Sequence, residues 1–241
     1  MTDLAQLKFF ATPPHDCSYL DGRMATTLFV DPAAEVDNGM YSALSSLGFR
    51  RSGRHVYRPH CAACNACVPV RIPAERFRPR RRQRRIWRRN EDLEVRIASP
   101  ELTDENYALY ARYIEARHAD GDMYPPSPEQ FRSFLLCDWS ETQFVEFRED
   151  GELVAVAVTD QVVDGLSAIY TFYDPARTHR SLGVHCILWQ LRRARETGRS
   201  HVYLGYWIRN CRKMSYKSDY QPLEVMINNQ WLRSDDALLD H

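Results

Sequence analysis

The run TQFVEFREDGELVAVAVTDQVVDGLSAIYTFYD, residues 142–174, leaves this chain little freedom of fold. Two Asp-Gly pairs, Asp150-Gly151 and Asp164-Gly165, separate three apolar, strand-like segments. Asp-Gly between such segments supplies the positive φ angles of a tight hairpin turn. The run therefore predicts an antiparallel three-stranded meander. RTHRSLGVHCILWQLRRARETG follows, with Val184, Ile187, Leu188 and Leu191 on one face of a helix that stops at Gly198. HVYLGYWI, from His201, reads as a further strand. A strand, a crossover helix and a strand form a right-handed parallel unit.

Three antiparallel strands feeding such a unit resemble the core of the GNAT acyltransferase fold, so the expected class is α+β with a GNAT-like domain. Upstream, Thr103 and Ser127 read as helix N-caps, the latter followed by Pro128 and by Gln130 as a capping box. LEVRIA, Leu93 to Ala98, alternates like a strand, and a helix is expected from Pro79 to about Arg89. Residues 1–90 otherwise look irregular. The expected division is an N-terminal cysteine-cluster and basic region, 1–90, and an aminoacyl-transfer domain, 91–241.

Charge is uneven. The chain of 241 residues is neutral overall, yet Arg71 to Arg89 holds ten arginines and one acid. Such a local field seeks phosphates, and Trp87 and the gap at Gln83 make the run unlike a low-complexity tail. No apolar run reaches membrane-spanning length, and Met1 to Thr12 lacks the pattern of a secretory signal, so a cytoplasmic location is expected. Seven cysteines then point to metal binding, chemistry or burial rather than a disulfide framework. Cys61, Cys64 and Cys67 are three soft ligands at intervals of three, and a structural site wants a fourth. His60 competes for that place, and the spacing suits zinc and an iron–sulfur cluster equally. Cys137, Cys186 and Cys211 sit in apolar patterns that favour plain packing.

Six segments resemble, in order, the arginyltransferase family, which moves amino acids from aminoacyl-tRNA onto protein N-termini. They are CSYLDGRMATTLFVDP (17–32), GFRRSGRHVYRPHCAACNACVPVRIP (48–73), FRPRRRQRRIWRRN (77–90), RYIEARH ending at His118, FYDP with RSLGVH, and YLGYWIRNCRKMSYKSDYQPLE (203–224). The cysteine phrasing is similar to the bacterial branch, the leucyl-tRNA–protein transferases that act on N-terminal Asp and Glu for the N-degron pathway of protein degradation. The resemblance implies Cys17 as the fourth ligand beside Cys61, Cys64 and Cys67, with no organic cofactor. It implies a tRNA donor whose phosphate-rich end sits at Arg180, Ser181 and Gly183, and whose backbone lies on Arg84 and Arg85. His118 and Tyr206 are the candidate catalytic side chains, and Arg71, Lys213 and Lys217, with Arg212, are candidate readers of the acceptor's carboxylate. Leucine or arginine as the transferred residue is not readable from these residues. Two other classes are open at this point: a CoA-dependent acetyltransferase on the same fold, which His185 in the phosphate loop disfavours, and a non-catalytic RNA-binding module, which leaves the C-terminal half unexplained.

Overall fold

A computed structural model describes residues 4–237. The chain begins with β1 (Phe9–Ala11), β2 (His15–Asp16), β3 (Met24–Ala25) and β4 (Thr27–Val30), then α1 (Asn38–Ser46), β5 (Arg50–Ser52), β6 (His55–Pro59) and β7 (Val68–Pro73). It continues with α2 (Arg81–Arg89), β8 (Glu94–Ala98), α3 (Asp104–Arg117) and α4 (Pro128–Leu135). The meander is β9 (Thr142–Glu149), β10 (Glu152–Val162) and β11 (Gly165–Tyr173), followed by α5 (Leu182–Glu196) and β12 (His201–Trp207). The short α6 (Arg212–Ser215), β13 (Glu224–Ile227), β14 (Gln230–Arg233) and α7 (Ser234–Ala237) end the described chain.

Eight strands form one sheet in the order β14-β13-β7-β12-β11-β10-β9-β8, and β1-β4-β6-β5 form a second. Every neighbouring pair in the large sheet is antiparallel except β11 and β12, which the α5 crossover makes parallel. Asp150 (φ 51°) and Gly151 (φ 85°) both take the left-handed conformation that the first hairpin needs. Alternation along β9 and β10 sends side chains to opposite faces of the sheet. Phe144, Val156 and Val158 pack with Leu109, Tyr110 and Ile114 of α3. Val145, Phe147, Ala155 and Ala157 pack with Leu182 and Cys186 of α5. This burial from both sides is why LVAVAV, in the middle of β10, is apolar without a break.

Three details differ from expectation. Residues 1–90 carry seven strands and α1, whose N-cap Asp37 accepts from the Met40 amide. β7 lies inside the large sheet, between β13 and β12, and Val70 and Ile72 share a core with Val202 and Leu191. The sheet therefore runs across the division expected near residue 90. Gln130 does receive the N-cap bond, its amide donating to Ser127 Oγ at 3.1 Å. Its side chain turns instead to the Tyr110 hydroxyl, which donates to Gln130 Oε1 at 3.0 Å, because a buried phenol needs an acceptor.

Candidate functional site

β11 and β12 pair only over Gly165–Ser167 and His201–Tyr203. Beyond that point both strands continue without bonding each other, to Tyr173 and Trp207, and a fork opens between them. The backbone groups left unpaired there need partners. Arg50 serves one of them: a guanidinium nitrogen donates to the Ala168 carbonyl, while another donates to the Ser167 hydroxyl at 2.6 Å. Gly205, at φ 74°, bulges β12 away from its β7 partner at this level. A Cβ there would stand 3.2 Å from Arg50 Nε, so the guanidinium fits because Gly205 has no side chain.

Lys217 enters the same fork from the turn after α6. It is 5 % exposed, and its Nζ donates to the Tyr206 carbonyl at 2.5 Å and lies 3.3 Å from Met214 Sδ. Burial, and then the charge of Arg50, push its pKa down to about 7, while Cys211 and Cys67 pull the other way. Among the described residues neither Arg50 nor Lys217 has a carboxylate ion-pair partner. Arg51, next to Arg50 on β5, points the other way and is fully paired with Asp160 at 2.6 Å. The strand's two-residue period separates the adjacent arginines, giving one to a structural pair and one to the fork.

Tyrosines line the rest of the cleft. The Tyr206 hydroxyl donates to the Gly48 carbonyl at 3.0 Å and reaches the Tyr57 carbonyl at 3.3 Å, and burial holds its pKa far above the usual phenol value. It is thus a neutral donor already bound to backbone, which fixes its place in the fork. His118 caps the C-terminus of α3. Its ring lies 5.4 Å from Tyr113, which lies 4.8 Å from Tyr173. Burial, then the charge of Lys213, lowers the His118 pKa, with Asp120 opposing. Gly183 presses on Tyr173, where a Cβ would meet the ring at 3.2 Å, so this glycine seats the first turn of α5 against the tyrosine row.

Several predicted residues are otherwise engaged. Arg180 is buried and tied to Asp92 at 2.7 Å and to Glu149. Its charge is thus spent inside the fold, and the start of α5 offers backbone amides rather than a free guanidinium. Ser181 sits at φ 53° before the helix and gives no side-chain cap. Arg71 is bonded to Glu224 at 2.7 Å and stacked 4.4 Å above Trp231. Lys213 is exposed and paired with Asp120 at 2.8 Å. Arg84 and Arg85 stand on the exposed face of α2.

The thiols share one region. Burial first, and then Cys17, Cys61, Cys64 and Cys211 in turn, raise the Cys67 pKa to about 12. Cys61 Sγ bonds both the amide and the carbonyl of Thr26, at 3.4 and 3.7 Å. Among the described residues no three or more His, Cys, Asp or Glu side chains converge as metal ligands. As placed, the sulfurs are neighbours without being a ligand set. Cys211 joins them from the turn between β12 and α6, which its apolar sequence surroundings hid. Arg50 was missed for a similar reason: its motif, GFRRSG, does not tell which of two adjacent arginines is structural.

Family profiles decide the relationship. One described as arginine-tRNA-protein transferase, N terminus, matches residues 15–85, and its C-terminal counterpart matches residues 105–227. The chain belongs to the arginine-tRNA-protein transferase family. Curated relatives within it include aspartate/glutamate leucyltransferases of Hahella chejuensis and Pseudomonas fluorescens, each 58 % identical over 96 % of this chain and 99 % of the relative. The Alcanivorax borkumensis leucyltransferase is 57 % identical over 96 % of each chain. Among solved structures, the C-terminal domain of a putative lysylphosphatidylglycerol synthetase from Agrobacterium fabrum overlaps 59 % of this chain and 47 % of its own, at TM-score 0.45 and 14 % identity. Between the family's two profile matches lie residues 86–104, which hold the end of α2 and β8.

Proposed function

We propose that this chain is an aminoacyl-tRNA–protein transferase that moves leucine from Leu-tRNA to the α-amino group of proteins beginning with Asp or Glu, marking them for degradation. The observation that carries the acceptor half is the unpaired cation couple, Arg50 and Lys217, in the fork of the sheet. Beside Arg50 and out of water, Lys217 holds its proton only weakly, and a ligand that brings a carboxylate offsets that cost and lets the ammonium form. An N-terminal Asp or Glu side chain is such a ligand, and its α-amine enters with it.

The chemistry is acyl transfer between an activated ester and an amine. The α-nitrogen attacks the ester carbonyl, the C–N bond forms, and the bond from that carbonyl to the ribose oxygen breaks. The nitrogen gives up a proton and the departing ribose oxygen gains one. The acceptor's α-amine has an ordinary pKa of about 7.7–8.0, so a usable fraction is neutral near pH 7.5. The fold contributes alignment, by holding the carboxylate at Arg50 and Lys217 and the donor at the start of α5. There the amides of α5's first turn favour an anion. His118, held below its ordinary pKa, is a neutral acceptor for the departing proton at the mouth of the tyrosine row. The GNAT-like reading of the fold rests on the parallel β11–α5–β12 unit and its fork. A cytoplasmic location accords with the tRNA donor; no helix among the described residues is long and apolar enough to cross a membrane. Cys17, Cys61, Cys64 and Cys67 would hold a zinc ion or iron–sulfur cluster, which would tie their loops together.

The deciding experiment offers purified protein Leu-tRNA and Arg-tRNA with peptides starting in Asp, Glu, Arg or Ala. Transfer of leucine to the Asp and Glu peptides alone is expected. Arginine transfer, or transfer blind to the acceptor's first residue, would overturn the reading.

A further inference from the structure

Between α2 and α5 lies a groove of about 320 Å³, open to solvent and separate from the fork. Its lining includes Trp87, Leu93, His185, Trp189 and Arg192, together with Glu91 and with Glu196, which is ion-paired with Arg192 at 2.6 Å. The Trp87 and His185 rings lie 5.1 Å apart at 37°, and the Arg192 guanidinium sits 5.3 Å above the Trp87 ring. Trp189 keeps an exposed face and is braced edge-on by Phe147 at 6.0 Å. Two half-exposed tryptophans lining one groove make an apolar patch of the kind a ligand covers. His185 is 2 % exposed, and its Nδ1 is buried without a hydrogen-bond partner. Burial, then Arg180, lowers its pKa to about 4, so at neutral pH the imidazole carries one donor and one acceptor.

The surroundings say which ligand. Arg81, Arg82, Arg84, Arg85, Arg88 and Arg89 are exposed on α2, and none makes an ion pair among the described residues. A row of unpaired guanidiniums beside a stacking platform is the chemistry of single-stranded nucleic acid: phosphates on the cations and bases on the rings. The groove also begins at His185, one turn into the helix whose start faces the donor in the reading above. We propose that this groove receives an unpaired base of the tRNA donor, stacked on Trp87 and Trp189 and hydrogen-bonded to His185. The inference rests on the donor being a tRNA.

Stacking and phosphate contacts differ in salt dependence, which gives the test. Binding of deacylated tRNA to the full-length protein is measured across a salt series for wild type, Trp189→Leu, Trp189→Phe and the Arg84→Ala/Arg85→Ala double variant. Trp189→Leu is expected to weaken binding about fivefold to hundredfold at every salt concentration, with the slope of log K against log salt unchanged. Trp189→Phe keeps most of the affinity. The double arginine variant instead flattens the slope by about 1.5 to 2. Melting temperature monitors folding, and quenching of wild-type tryptophan fluorescence by a short single-stranded oligoribonucleotide gives a readout that needs no variant. Wild-type affinity in folded Trp189→Leu, absence of quenching, or a loss confined to the acceptor peptide would overturn the proposal. Wild-type protein that binds tRNA yet transfers no leucine would count against the proposed activity and leave the groove standing.

Discussion

A guanidinium and an ammonium placed together out of water repel each other and lose hydration, and both costs weigh on the folded state. Among the described residues, Arg50 and Lys217 accept this arrangement with only carbonyl, hydroxyl and thioether partners. Arg50→Ala and Lys217→Met are each expected to lower kcat/KM for Asp- and Glu-starting peptides about tenfold to hundredfold, the worth of one charged hydrogen bond. Their affinity for tRNA stays near that of wild type, which separates the fork from the arginine face. The Lys217 proton also sets a pH signature. Its pKa falls from 10.5 unfolded to about 7 folded, so between those values the unfolded chain holds the extra proton. Stability from this group is therefore full above about pH 10.5 and is lost as pH falls toward 7. Lys217→Met should melt higher than wild type at pH 7 and equal to it near pH 10.5. A variant that melts lower at pH 7 would show that the ammonium has a carboxylate partner in the folded protein.

At the scale of elements, α2 separates its tasks by face. Gln83, Ile86 and Asn90 are buried, and Asn90 donates to the Ile86 and Arg180 carbonyls at 2.8 and 2.9 Å, which docks the helix on the approach to α5. The arginines occupy what remains, so charge density here costs the core nothing. Arg180 works on the inner side of the same junction, bridging α2, β8 and β9 through Asn90, Asp92 and Glu149. The loops that carry the thiols are a different kind of element, with four half-buried sulfurs and Cys211 just beneath them. A soft metal would bind these sulfurs as thiolates and tie their loops together, releasing protons as it does so. Protein purified without oxygen is expected to carry zinc or iron, and Cys64→Ser to lose the metal and several degrees of melting temperature. Metal-free protein of wild-type activity and melting temperature would remove the metal from the account.

For the whole molecule, β7 is the joint. It bonds β12 on one side and β13 on the other, so the large sheet cannot close without residues 68–73. Arg50 from β5 then crosses to β11, and Tyr206 of β12 donates back to the Gly48 carbonyl. Cores linked this way should unfold together. A fragment of residues 91–241 is expected to be insoluble or molten, and the intact chain to show one denaturant transition by both fluorescence and circular dichroism. Two separated transitions would mean that the N-terminal strands fold apart from the large sheet.

Local chemistry was legible where it is self-sufficient. Asp150-Gly151 specifies its turn, Thr103 and Ser127 cap their helices, and the stripe of α5 sets the crossover, because each depends on neighbours within a few residues. The family was legible for the same reason, as its motifs are ordered runs. The N-terminal strands were not, since segments of two to six residues have no period long enough to read. Nor could residue type alone say which cations are free. Arg71, Arg180 and Lys213 meet Glu224, Asp92 and Asp120 only when the chain folds, across 153, 88 and 93 residues. Among the described residues, the same folding brings no acid to Arg50 or Lys217. Whether a charge is spent or available depends on which distant carboxylates packing brings within a few ångströms, and that pairing is a property of the tertiary structure.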